Sequence, residues 1–265
     1  VDFAKSTVDL TWSYLVTHPY LALYCDFPDS KLSATRPFFT MKLRPFRAIW
    51  GHMNSTDGIL ARSPHSDFHD LLPALKAQGY RGIEMCFSHA MAVGPQQFRD
   101  LLDEHDLKVG FIVFSDGPVA PGDANMIFGD SPILGYSDTA KPGDTNKERV
   151  VTQHLDVWRE QVDGIKEHFP NHCDFINSHS CKDYFTRDMA ETFFSTALAH
   201  DSNVMHEGHR KRFLHSPWVC RDFLPNFPEL KFVADLSHFT CIAETNTEDP
   251  DLTAVIQQIA KQTHH

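Results

Sequence analysis

Two stretches decide the reading of this chain: Val204-Met205-His206-Glu207-Gly208-His209-Arg210-Lys211-Arg212 and Phe232-Val233-Ala234-Asp235-Leu236-Ser237-His238-Phe239. Each begins apolar and ends in ionisable groups. A buried strand reads this way when its carboxyl end opens into a site, and in parallel α/β folds ligands sit at the carboxyl ends of the strands. A Glu from one strand and an Asp from the next, with histidines beside both, offer hard oxygen and imidazole donors that suit a divalent metal. The first stretch is not a zincin helix, because His206 and His209 are three apart rather than four. In an extended segment Glu207 and His209 point to one side and His206 to the other. An ordinary polar rim explains either stretch taken singly. Their placement on consecutive predicted strands is what carries the metal reading.

Working back from these stretches, the chain shows a regular rhythm. Phe46 to Trp50 reads as a first strand. Asp67 to Gln78 has helical spacing through Phe68, Leu71, Leu72 and Leu75, and stops at Gly79. Tyr80 to Phe87 is a second strand. Gln96 to His105 is a helix with Pro95 at its first turn. Lys108 to Phe114 is nearly all apolar, as strands covered on both faces are. Residues 116–146, rich in Gly, Pro, Asp and Ser, interrupt the rhythm and read as a loop over the site. A long helix from Glu148 to Phe169 follows, then a strand from Asp174 to His179, a helix from Thr186 to His200, and a strand from Asn203 to Glu207. Pro217 to Leu224 is a short helix, Lys231 to Asp235 a sixth strand, and Pro250 to Lys261 a last helix.

Strict alternation of strand and helix specifies a parallel sheet. An open doubly wound sheet and a (β/α)8 barrel both fit it. No GxGxxG follows the first strand, which removes support for a dinucleotide fold. The barrel needs two more units, and the sequence stops where a seventh strand would begin. Residues 1–40 differ from the rest: they hold Pro19, Pro28 and Pro37, scattered aromatics and no sustained period. They read as an extension or a gene-model artefact, with Thr11 to Tyr24 as one short helix or strand and the domain proper running from Met41 to 265.

Composition narrows the function. The 265 residues have 42% hydrophobic and 22% charged content, the balance of a globular chain. The formal net charge of −11 argues against a nucleic-acid partner, although Arg210-Lys211-Arg212 is a local basic run. Six cysteines without a CxxC pair suggest free thiols in a reducing compartment, and Cys181 and Cys241 are expected to be buried. No apolar run reaches the roughly 18 residues of a spanning helix, and no secretory signal is visible. The expectation is a cytoplasmic protein with no membrane partner.

From Met41 onward the chain resembles the xylose isomerase-like barrels, the superfamily of sugar isomerases, 3-epimerases and abasic-site endonucleases. One group within it, the sugar phosphate isomerase/epimerase group, carries a segment like HETHRGR followed by SPW, and later one like DFSHW. This sequence has HEGHRKR at 206–212, SPW at 216–218 and DLSHF at 235–239, with GIEM at 82–85 and INSHSCKDYF at 176–185 as further likenesses. It departs at Gly208, Lys211, Leu236 and Phe239.

The resemblance implies a (β/α)8 barrel ending after about six units. It also implies a divalent ion (Mn, Mg, Co or Zn) held by a Glu, an Asp, a His and a second Glu. The first two positions fall on Glu207 and Asp235. The third lies near His264 and His265, with His265 taken as the ligand, and the fourth has no counterpart. His238, three residues after the Asp, takes a catalytic, substrate-touching role beside Glu207. His209 and Arg210 are substrate-binding positions, with Arg212 second to Arg210.

Other polar residues stand at strand ends. His89 and His179 either contact substrate or are ordinary surface or packing residues, and His52 is a weaker candidate. Glu84 lines the pocket or forms a salt bridge to a helix. Trp50 and Trp218 floor a sugar pocket or pack in the core. The implied activity is isomerisation or epimerisation of a sugar, keto-sugar or polyol. A lyase or dehydratase using the same proton abstraction is the alternative enzyme. An abasic-site endonuclease is disfavoured by charge, and an inactive incomplete barrel is the non-enzymatic reading. If the sheet ends at the sixth strand, its first and sixth strands are open edges, and self-association with weak metal binding is expected.

Overall fold

The computed structural model describes residues 21–26, 42–49, 64–117 and 147–260. Seven strands form one sheet: β1 Leu21–Asp26, β2 Lys42–Ala48, β3 Gly82–Cys86, β4 Lys108–Phe114, β5 Cys173–His179, β6 Met205–Glu207 and β7 Lys231–Val233. Their order in the sheet is their order in the chain. Strands β3 to β7 each pair in parallel with their predecessor. A doubly wound sheet reverses its order at a switch point. This one does not, so its winding is that of a (β/α) barrel.

The helices are α1 Pro64–Ala77, α2 Phe87–Val93, α3 Pro95–Glu104, α4 Lys147–His168, α5 Arg187–His200, α6 Pro217–Phe223, α7 Leu236–Ala243 and α8 Pro250–Ala260. Their apolar stripes face the sheet. In α3 the buried residues are Phe98, Leu101 and Leu102, and in α4 they include Val151, Leu155, Trp158, Val162 and Ile165. These are the three- and four-residue spacings of a helix face. Along β4, Val109, Phe111 and Val113 join this helix-side core, while Ile112 and Phe114 belong to a separate cluster with Cys86. That alternation is the period of a pleated strand covered on both sides.

The other sheet face carries Phe46 and Met205, with Phe175 and Val233 packed against them. Phe46 and Phe175 meet edge-to-face with centroids 5.0 Å apart. Gly110 makes room for this arrangement: a Cβ there would fall 1.9 Å from the Phe175 ring.

Several expectations are corrected. The first parallel strand is not an open edge, because β1 pairs antiparallel with β2 from Leu21↔Arg47 to Asp26↔Lys42. Antiparallel pairing satisfies the N–H and C=O groups that a bare edge would present. Strand β2 begins four residues before the expected Phe46. Helices α2 and α7 lie where only connections were read. Cys241 is exposed, while Cys181 is buried. Trp218 is 37% exposed and so is not core-packed. Among the described residues, β7 pairs with β6 alone, and Cys86, Cys173, Cys181, Cys220 and Cys241 are free thiols. No described helix is long and apolar enough to cross a membrane. Trp50, His52, His264, His265 and the loop 118–146 lie outside the described residues.

Candidate metal centre

Glu207 ends β6 and is buried, 8% exposed. Asp235 follows β7 and is the N-cap of α7, its side chain accepting from the backbone N–H groups of Ser237 and His238. The Ser237 hydroxyl also donates to the same oxygen, Oδ1, at 2.6 Å. With Oδ1 engaged by the helix start, Oδ2 is turned toward His238, whose Nε2 is 3.6 Å away. The Asp-Leu-Ser-His sequence therefore works as a helix cap that leaves one carboxylate oxygen for the site.

Donor atoms of Glu207, Asp235 and His238 all lie within 4.8 Å of one another. Those of His179, Glu207 and His209 form a second such group sharing Glu207. Ligands about 2.0–2.5 Å from one ion are at most about 5 Å apart, so either group meets the spacing of a divalent cation. Two carboxylates with neutral imidazoles are a donor set for Mn²⁺, Co²⁺ or Zn²⁺.

The rings of His179, His209 and His238 stand side by side, with centroids 4.2 and 3.9 Å apart. Burial keeps them neutral. It lowers His179 to about 3, assisted by the nearby Arg212 charge. It lowers His209 further, with His179 and His238 adding to the effect. His238 is also lowered by burial, against the pull of Asp235 and Glu207. The Nδ1 of His209 lies 2.7 Å from the Arg210 carbonyl, which places a proton on Nδ1 and leaves Nε2 as a lone-pair donor.

Glu207 is pushed the other way, up to about 8, by burial and then by the Asp235 charge. Its contact with His179, 3.0 Å between Oε2 and Nε2, is thus a hydrogen bond between neutral groups near neutral pH rather than an ion pair. Asn177 also donates to Glu207, and its amide lies 3.4 Å from Glu84 Oε1. Glu84 therefore faces this network from β3 rather than a helix.

Beside the histidines lies a buried ionic cluster that sequence reading missed. Asp116, just after β4, accepts from Arg212 at 2.6 Å and pairs with Lys182 at 2.6 Å. Burial would raise the Asp116 carboxyl, but the two cations outweigh it and hold the group at about 2. Arg212 is thus committed to Asp116 and packs over the Phe114 ring, 5.4 Å from its centroid. Arg210 is partly exposed and close enough to His238 to lower it. His89 is fully buried at the start of α2 and belongs to neither donor group. Asn177 and Lys182 both fall in the INSHSCKDYF segment at 176–185, and Asn177 has period-two spacing from His179, but neither stands out there as a site residue. Asp116 has only its strand-end position to mark it.

The winding is that of the (β/α) barrels, the class to which the xylose isomerase-like proteins belong and which the motifs at 206–212 and 235–239 resemble. No protein-family model matches the chain, and no curated protein matches it. Among solved structures, it is similar to the crystal structure of the probable 3-DHS dehydratase AsbF involved in petrobactin synthesis from Bacillus anthracis. The identity is 14% over 74% of this chain and 65% of that one, with a TM-score of 0.44. The chain thus spans just under two thirds of the length of that protein.

Proposed function

We propose that this chain is a metal-dependent enzyme that moves a proton at a carbon beside a carbonyl, as an isomerase or epimerase of a sugar, keto-sugar or related polyol. The observation that carries the proposal is the donor group of Glu207, Asp235 and His238 at the carboxyl ends of β6 and β7, with Glu207 held by His179 and Asn177. Glu207 and Asp235 are the residues that would hold the ion. A divalent ion there would supply Lewis-acid positive charge to the site.

The chain's own residues do the rest. In its ionised form the Glu207 carboxylate takes the proton from the carbon beside the carbonyl. In an isomerisation Glu207 returns it to the neighbouring carbon while the substrate's hydroxyl proton passes to the former carbonyl oxygen. His238 lies at the same rim and contacts the sugar oxygens. His179 and His209, kept neutral by burial, offer uncharged hydrogen-bonding edges to hydroxyl groups. Arg210 stands at the outer side for a further oxygen substituent.

The test is proton exchange. The protein loaded with Mn²⁺ or Co²⁺ is incubated in D₂O with ketoses and 3-keto-glycosides and followed by NMR. Deuterium entering the carbon beside the carbonyl, lost in Glu207→Gln, supports the proposal. Epimers or aldose–ketose pairs identify the isomerase, and an eliminated product identifies a lyase instead. Absence of both exchange and metal uptake refutes the enzyme reading.

A further inference from the structure

His206 belongs to the motif that organises the chain, yet it faces away from the metal centre. Its ring lies between Trp158, stacked at 6.3 Å, and Phe194, edge-on at 5.1 Å. Its Nδ1 is 2.6 Å from the Ser180 hydroxyl. Ser180 is 2.7 Å from the Ser178 hydroxyl, which accepts from the Trp158 indole N–H at 3.0 Å. All four residues are buried. A buried hydrogen-bonded chain of this kind fixes positions, because breaking one link leaves polar atoms unsatisfied.

What it fixes follows from the pleat. Asn177 and His179 reach Glu207 on one face of the sheet, so the alternate residues Ser178 and Ser180 fall on the other. Likewise Glu207 and His206 are neighbours facing opposite ways. The backbone ladder between β5 and β6 has only two registered pairs, Asn177↔Met205 and Ser178↔His206. It stops before His179 and Glu207, the two residues whose alignment the metal centre requires. Beyond the last rung, the Ser180–His206 link ties the two strand ends on the helix face, opposite the His179–Glu207 contact on the site face.

We infer that Ser180 and His206 are positioning residues: their hydrogen bond on the helix side sets the strand-end register that holds His179 against Glu207 on the site side. The inference rests on the proposed metal centre for its purpose, but the effect on His179 is independent of metal. Neither residue touches substrate.

The test uses the full chain with ¹⁵N-labelled histidine. Ser180→Ala and His206→Phe remove the link, and the phenyl ring of the second keeps the volume between Trp158 and Phe194. His206→Asn keeps a hydrogen-bonding atom where Nδ1 lies. In metal-free protein, the His179 ring nitrogen shifts should move in Ser180→Ala and His206→Phe and return toward wild type in His206→Asn. Co²⁺ affinity should fall tenfold or more in the first two and stay within about threefold of wild type in the third. Unchanged His179 shifts in a folded Ser180→Ala or His206→Phe variant overturn the inference, as does His206→Asn behaving like His206→Phe. If the first two variants fail to fold while His206→Asn folds with wild-type His179 shifts, the hydrogen-bonding role stands. If the wild type takes up no Co²⁺ but the shifts behave as stated, the metal reading fails and the positioning role survives.

Discussion

Glu207 should cost the metal-free protein stability, and the size of that cost can be measured. Its carboxyl rises from an ordinary 4.5 to about 8 because burial and the Asp235 charge disfavour ionisation. A group whose folded pKa is raised contributes stability that is complete below its unfolded value and is lost as pH rises through the folded value. The window is therefore from 4.5 to about 8. Each pH unit in it removes about 1.4 kcal/mol, or roughly 5 kcal/mol across the whole interval as an upper figure. Glutamine keeps the shape and cannot ionise.

Urea unfolding of wild type and Glu207→Gln in EDTA, at half-unit steps from pH 5 to 9, gives the difference free of the histidines common to both. The variant should gain on the wild type steadily toward alkaline pH, by several kcal/mol at pH 8. Adding Mn²⁺ should reverse the order, since binding to the folded state alone stabilises it by mass action. Parallel pH curves for the two proteins would refute this account of Glu207.

Three further outcomes are expected. Asp116→Asn leaves Lys182 and Arg212 buried without their shared carboxylate, and should cost about 3–5 kcal/mol in urea unfolding at pH 7. Gly208→Ala places a Cβ 2.9 Å from both the Phe232 and Phe239 rings, and a loss of about 1–3 kcal/mol should appear as a lowered thermal midpoint. His154 is lowered from 6.5 to about 4 by burial, helped by Arg212 and Lys182 against Asp116. Its stability contribution is present above pH 6.5 and is lost as pH falls toward about 4, so His154→Gln should flatten the acid limb of the wild-type curve by about 1.4 kcal/mol per unit.

The legible parts of the fold were those where one period dominates. Lys108–Phe114 is a continuous apolar run bounded by polar residues, and the strand has those bounds. The long helix was readable from its repeated apolar face. Helix α2 was not, because Phe87 follows β3 directly and the N-cap residue, Cys86, makes no side-chain cap. Helix α7 is hidden for the opposite reason: Asp235 has the look of a strand-end ligand, and its carboxylate is the helix cap. Of the site, Glu207, Asp235, His238, His179 and His209 were nameable because they end apolar runs. The structure brings donor atoms of these five into two groups sharing Glu207. The ion pairs across Asp116 escaped notice because their partners lie 66 and 96 positions away, a separation that local pattern does not encode.

The identity of sheet order and chain order has a consequence for biosynthesis. Each strand from β2 to β7 finds its partner in the strand made just before it, so pairing can advance one unit at a time as the chain leaves the ribosome. Such a path closes one crossover connection at a time and never requires strands distant in the chain to meet first. The donor atoms of the two candidate metal groups all lie between His179 and His238. They are thus added to a template already laid down by β2, β3 and β4, and a pause in translation after residue 180 would leave a partly built sheet waiting for Glu207.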